Sequence, residues 1–339
     1  MSREGHPVLK VSKEKGEQTL QKLKEQGKLD PRRSIRREGD ELIFPVKEDG
    51  NCFEIDPKFR EEKVSPYQRI KDRIDLPEFE VNLLPDNWEM IGDILLIKLP
   101  DELLEHKEKV AEVYSNILNA KTVMLQGSIE GKEREPVVEK IYGDETETVH
   151  IENGVKFKID TSKLMFSSGN IDERIRMAEE VEEGEVVVDM FAGIGYFSLP
   201  MAVHGDPEKV YSLEINPTAF RYLEHNISLN EVEDVVEAWH GDNRDFSFVG
   251  ADRVVMGYLN DTWKFLGKAV EFLEKAVEFL AGEGIIHYHT RSLDRNYPED
   301  VKEELKENIP QNFDIRTIKK IKSSAPHVFH VVADLEVYG

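Results

Sequence analysis

The sequence predicts an α/β protein, a doubly wound sheet with an antiparallel edge strand, preceded by small α+β N-terminal domains. Three observations lead there. From Val186 onward, short β-branched runs alternate with helical segments. One junction, residues 185–200 (EVVVDMFAGIGYFSLP), passes from an apolar strand through a glycine-containing turn into an apolar helix. Three successive strand ends also carry acids, at Asp189, Glu214 and Asp242.

Taken in order, residues 1–47 read as a small unit. Val8–Val11 is a strand, and Ser12 caps a helix to about Gln26 that Gly27 closes. Ser34–Arg37 and Glu41–Pro45 pair around Gly39-Asp40. Residues 48–75 are polar, charged and proline-marked, the composition of a linker. Residues 76–160 read as a second α+β domain. Its strands are Ile91–Ile97, Thr122–Leu125 and Thr146–Ile151, its helix is Pro100–Leu118, and a polar stretch contains Arg134.

Residues 161–339 form the large domain. Met165–Asn170 leads into a helix whose face carries Arg174. Strands follow at Val186–Asp189, Lys209–Leu213, Val235–His240, Arg253–Met256 and Gly284–Tyr288. The long helix before the last of these holds KAVEFL twice, Lys268–Leu273 and Lys275–Leu280, a duplication that keeps its apolar stripe nearly in phase. Phe313–Ile321 and His327–Val337 read as an antiparallel edge pair.

Composition narrows the function. The net charge of −23 runs against the basic footprint of most nucleic-acid enzymes, yet residues 10–37 and 316–322 are locally basic. Cys52 is the single cysteine, which excludes a disulfide within the chain and a cysteine zinc site. The histidines show no ligand spacing, so no metal is expected. No apolar run approaches the ~20 residues needed to span a bilayer, and MSREGHPVLKVSKEKG lacks a signal-peptide core. A cytoplasmic protein without membrane contact is expected.

The glycine turn points to a nucleotide-type ligand. Gly193 and Gly195 allow close backbone approach, but Ser198 stands where a dinucleotide fingerprint needs its third glycine. Glu214 is placed to hold both hydroxyls of a ribose. Asp242 and Asn243 suit the amino edge of adenine. Three acids with no phosphate cradle fit S-adenosylmethionine (SAM) better than NAD, and so a class I SAM-dependent fold.

With these motifs in place, the chain resembles the tRNA enzymes that modify the guanosine 3′ of the anticodon. This resemblance spans nearly the whole chain and has two branches. KVSKEKGEQ…IRREGDELIFPV and IGDILLIKLP…KTVMLQGSIEG look like the tRNA-contacting and pre-catalytic domains of the guanine-N1 methyltransferases. MFSSGNIDER (Met165–Arg174), HGDNRDF from His240, IHYH (Ile286–His289) and SSAPH (Ser323–His327) look like the archaeal-type aminocarboxypropyltransferases of wybutosine synthesis. The methyltransferases carry an Asn-Leu-Pro or Asn-Pro-Pro loop after the fourth strand. Here the loop is MGYLN, without proline.

The resemblance implies transfer of the 3-amino-3-carboxypropyl group of SAM to 4-demethylwyosine in tRNA-Phe; a monomer is expected. The alternative is guanine-N1 methylation of the same nucleotide. It further implies that Ser167 and Arg174 touch the cofactor at its carboxylate, Glu214 at the ribose, and Asp242 with Asn243 at the adenine. Asp189, Phe191 and Gly193 would shape the pocket floor and Phe166 wall it. No general base is assigned. RNA contact is expected from the basic N-terminal unit and Arg316–Lys322, with stacking on Tyr258 or Trp263. A SAM-binding RNA-binding protein without catalysis is the rival of another class.

Overall fold

The computed structural model describes residues 6–30, 33–47, 54–56, 64–130, 135–247, 250–280 and 284–338. Cys52 and Arg134 lie outside them, as do the side chains of the second KAVEFL copy. The chain divides into two compact units, Met1–Leu84 and Pro85–Gly339. These limits do not coincide with boundaries expected at 75/76 and 160/161.

In the first unit, β1 (His6–Ser12) is followed by α1 (Gly16–Glu25), β2 (Arg36–Glu38), β3 (Glu41–Pro45) and β4 (Glu54–Asp56). They build a sheet of order β2-β3-β1-β4, with β1 antiparallel to both neighbours. Leu23, Phe44 and Val46 form its small core. Gly27, at φ +64°, turns the chain out of α1. The segment expected as a linker supplies β4 and then α2 (Pro66–Arg73). Ser65 accepts from Gln68 N–H at 3.1 Å and Pro66 opens the helix, which buries Ile70. A charged helix that buries one apolar residue of its own, Ile70, leaves little trace in composition. The short α3 (Glu78–Val81) completes the unit.

In the second unit, β5 (Glu89–Ile91) and β6 (Ile94–Ile97) form a hairpin where one continuous strand was expected. Gly92 has φ +57°, and a Cβ there would meet Thr148 Oγ1 at 2.2 Å, so the chain must turn at this glycine. After a 3₁₀ turn, α4 (Lys107–Leu118) ends on Asn119 in the left-handed region. β7 (Thr122–Glu130) runs parallel to β6, and β8 (Glu135–Tyr142), which the sequence reading missed, pairs with β7. β9 (Glu147–Glu152) and β10 (Val155–Asp160) make a separate hairpin.

The large sheet follows. Its elements are α5 (Ile171–Glu180), β11 (Val186–Asp189), α6 (Ser198–His204), β12 (Lys209–Glu214), α7 (Pro217–Leu229), β13 (Val236–His240), β14 (Arg253–Met256), α8 (Leu266–Leu280), β15 (Gly284–Leu293), α9 (Glu299–Asn308), β16 (Asn312–Ala325) and β17 (Val328–Tyr338). The strand order is β13-β12-β11-β14-β15-β17-β16. The first five are parallel, β17 is antiparallel to both its neighbours, and β16 occupies the edge. The antiparallel strand is thus one in from the edge. α9 was not anticipated.

One face of the sheet buries Val187, Val210 and Val255 against Met177, Leu199 and Leu223 of α5–α7. That core also takes in Ile94, Met124, Phe157 and Phe166, which explains why the β5–β10 region belongs to the same unit. The other face packs Val188, Val254 and Ile286 against α8 and α9. Helices on both faces leave the carboxyl ends of the parallel strands as the natural crevice.

Candidate functional site

The site begins where β11 ends. Asp189 is fully enclosed, accepting from Ser198 Oγ at 2.7 Å and from Phe191 N–H at 3.3 Å. Ser212 Oγ donates in turn to Ser198 Oγ at 2.8 Å. Burial outweighs these donors and pushes the Asp189 carboxyl up to about 6. The carboxylate points inward and braces the turn that was expected to form the pocket floor. Ser198, read only as a missing glycine, is its partner.

Gly193 has φ +60°, and a Cβ there would sit 2.6 Å from the Tyr196 ring. Its N–H donates to Glu214 Oε2 at 2.7 Å, while Glu214 Oε1 accepts from Asn216 N–H at 2.6 Å. Burial raises the Glu214 pKa against those backbone donors. Asn216 also caps α7 through Thr218 and Ala219 N–H. Asn226, fully buried, donates to the Ile194 and Lys158 carbonyls and accepts from Lys158 N–H, tying β10 to the glycine turn.

At the end of β13, Asn243 Nδ2 donates to the Met190 carbonyl at 2.9 Å, while its buried Oδ1 has no partner among the described residues. Asp242 is held by Arg244, whose Nε and Nη2 reach its two oxygens at 2.9 and 2.5 Å and keep its pKa below the usual range. Phe191 stacks on Tyr258 with centroids 5.0 Å apart and meets Phe265 edge-on. Tyr258 is therefore engaged within the protein, whereas Trp263 is 38% exposed.

The second half of the site is the MFSSGNIDER segment. Phe166 is buried among His150, Phe157 and Tyr196, and the Arg174 guanidinium lies 4.9 Å from its centroid. Arg174 is itself buried; its Nε and Nη2 donate to the Glu152 oxygens at 2.5 and 2.7 Å, and Nη2 also donates to the Ser167 carbonyl at 3.0 Å. Most of its donor edge is thus committed inside the protein. Burial works against the Glu152 carboxylate, but His150 and Arg174 together hold its pKa below normal. Tyr196 O–H donates to the Met165 carbonyl, joining this segment to the glycine turn.

Gly193 and Glu214 thus meet directly, as do Phe166, Ser167 and Arg174, with Tyr196 bridging the two sets. Sequence reading missed Glu152, Tyr196 and Asn226, whose roles come from contacts distant in the chain. Of the basic strand expected to meet RNA, Arg316 pairs with Glu336 and Lys320 with Asp294, while Lys322 Nζ donates to Ser167 Oγ. His287, on β15, is buried, accepting from Arg253 and donating to Asp334. His289 is buried beside His330, and burial holds it neutral by driving its pKa well below normal. His327 stands exposed at the β16–β17 turn with φ +59°.

These features suit an adenosine-containing ligand: a turn that only glycine fits, an acid held by backbone N–H groups, and an unsatisfied buried amide oxygen. No helix among the described residues is long and apolar enough to cross a membrane.

Comparison with known proteins agrees. Residues 148–317 match the TRM5/TYW2 methyltransferase domain, residues 70–146 the TYW2 N-terminal domain, and residues 9–54 the tRNA methyltransferase 5 N-terminal domain. The tRNA(Phe) (4-demethylwyosine(37)-C(7)) aminocarboxypropyltransferase of Pyrococcus horikoshii is 45% identical over 282 residues, covering 80% of this chain and 98% of that protein. The crystal structure of P. horikoshii TYW2 in complex with MeSAdo superposes with TM-score 0.70 at 41% identity, over 80% of this chain and 99% of that one. Wild-type Trm5b from Pyrococcus abyssi superposes with TM-score 0.72 at 32% identity, over 98% and 100%. The fold, the site and these matches lead to one conclusion, that this chain belongs to the TRM5/TYW2 family.

Proposed function

We propose that the protein transfers the 3-amino-3-carboxypropyl group of SAM to C7 of the 4-demethylwyosine base at position 37 of tRNA-Phe, releasing methylthioadenosine. The observation that carries this reading is the 45% identity to a transferase of that activity over nearly its whole length. MFSSGNIDER, the segment resembling that branch, is also built into the site through Tyr196 and Arg174.

Bound SAM supplies a γ-carbon activated by the neighbouring sulfonium. Glu214 holds the ribose hydroxyls, its carboxylate pre-oriented by Gly193 and Asn216. Asn243 Oδ1 and Asp242 meet the adenine edge. Phe191 and Phe166 wall the pocket, and Ser167 with Arg174 hold the methionine arm. The acceptor carbon forms its bond to the γ-carbon as the Cγ–S bond breaks with its electron pair on sulfur; the C7 proton is then lost. Rate enhancement by positioning is worth up to roughly 7–11 kcal/mol, consistent with a site in which no side chain is assigned as general base. The protein acts as a monomer, and its N-terminal unit contacts tRNA.

Guanine-N1 methylation is the second reading. It is favoured by the match of residues 9–54 and by the span of the Trm5b likeness. Incubation with SAM and tRNA carrying 4-demethylwyosine, followed by mass spectrometry, separates the two. The expected products are methylthioadenosine and a nucleoside heavier by one aminocarboxypropyl group. S-adenosylhomocysteine with a methylated base would establish the alternative.

A further inference from the structure

Lys322 sits on β16, where alternation would place it on the same side as Lys320. The register against β17 slips between these two residues, with Lys320 opposite Val331 and Lys322 opposite His330. Such a bulge re-aims the side chains that follow it. Lys320 accordingly lies over Tyr297 and Phe329, on the α8–α9 face. Lys322 turns the other way, toward the face that buries Phe166. Its Nζ donates to Ser167 Oγ, and its stem runs beside Gly169, where an added Cβ would come 3.4 Å from Cδ.

This contact fixes what Ser167 can do. With a lone pair occupied by an ammonium, the hydroxyl has its proton to give, and among the described residues Ser167 O–H donates to nothing. An ammonium and a hydroxyl donor side by side, half-buried, favour an anionic acceptor. Arg174, by contrast, gives Nε and Nη2 to Glu152 and the Ser167 carbonyl, which leaves Nη1 as its one nitrogen for a ligand.

We infer that Lys322 is a binding and orienting residue for the transferred group: with Ser167 it holds the α-carboxylate of the SAM methionine arm. This deepens the proposed function and rests on it. The cation reaches the arm from the sheet edge, so the carboxylate is drawn toward β16. That draws the arm to one side and fixes how its γ-carbon is presented.

The test is binding, read by titration calorimetry, of SAM, decarboxylated SAM and methylthioadenosine to wild type, Lys322→Met and Lys322→Arg. A charge-assisted contact of this kind is worth roughly ten- to a hundred-fold in affinity. Wild type is expected to prefer SAM over decarboxylated SAM by about that factor. Lys322→Met should lose most of that preference with methylthioadenosine binding unchanged, and Lys322→Arg should restore part of it. A Met variant that keeps the preference, or that loses all three ligands equally, would overturn the role of Lys322 while leaving the SAM site standing. A wild type that binds neither SAM nor methylthioadenosine would overturn the reading of the site itself.

Discussion

Arg174 and Glu152 form a two-pronged ion pair inside the protein, Nε to Oε1 at 2.5 Å and Nη2 to Oε2 at 2.7 Å, with both side chains almost wholly enclosed. Removing one member of such a pair strands the other charge, at a cost of about 3–5 kcal/mol. Glu152→Gln should show that loss in denaturant unfolding at neutral pH. Because the Glu152 pKa is depressed in the folded protein, the contribution is full above its ordinary value of 4.5 and fades as pH falls through the folded value. Arg174→Ala should in addition weaken SAM more than methylthioadenosine, since only SAM carries a carboxylate. Equal weakening of both ligands would limit Arg174 to bracing the Phe166–Ser167 segment.

Glu214 makes a different prediction. Its two oxygens are oriented by Gly193 and Asn216 N–H groups before any ligand arrives. A ribose is common to SAM and methylthioadenosine, so Glu214→Ala should weaken both by a similar factor, roughly ten- to a hundred-fold for contacts to a charged acceptor. Parallel titrations of the two ligands decide it, and a loss confined to SAM would contradict the ribose assignment.

Asp189 should leave a signature in pH. Its folded pKa of about 6 lies above the ordinary 3.8, so the folded protein holds the proton more tightly than the unfolded chain. Stability contributed at this position is therefore full below pH 3.8 and falls as pH rises to about 6. The total change is at most about 3 kcal/mol, at 1.36 kcal/mol per unit. Asp189→Asn has no charge to bury. The stability difference between wild type and variant should shift in the variant's favour from pH 4 to pH 7, measured by denaturant unfolding at each pH. A difference independent of pH would mean that the carboxylate is not desolvated as its burial implies.

Some of this was legible in the sequence and some was not, for physical reasons. Val186–Asp189, Lys209–Glu214 and Val236–His240 announce themselves because a strand buried on both faces must be apolar throughout. Gly193 is legible because few residues tolerate its backbone angle. The direction of a carboxylate is not: Asp189 and Glu214 both end parallel strands, yet Ser198 Oγ and Phe191 N–H hold the first inside the protein while Gly193 and Asn216 N–H groups hold the second at the turn. Ile91–Ile97 reads as one strand, yet the chain turns at Gly92, where Thr148, far along the chain, leaves no room for a Cβ. Lys322 lay hidden in RTIKKIK because nothing local marks the register slip that separates it from Lys320.

The N-terminal sheet gives the last prediction. Strands β1–β4 close on one another and bury Leu23, Phe44 and Val46 in a core of their own, so removing residues 1–56 takes no strand from any other sheet. Lys13, Lys15, Lys22 and Lys24 are exposed on this unit, in a chain whose net charge is −23. Phosphate contacts made by these lysines would release counterions, so their loss lowers both affinity and its dependence on salt, by roughly 0.7–0.9 in log–log slope per contact. Deletion of residues 1–56 should therefore leave SAM affinity unchanged, weaken tRNA binding at low salt, and flatten the salt slope. Filter binding of tRNA from low to moderate salt, with SAM titration alongside, measures this on the deletion variant and the full chain. An unchanged slope with unchanged affinity would remove the N-terminal unit from tRNA contact and shift the search to the exposed cations of the larger unit.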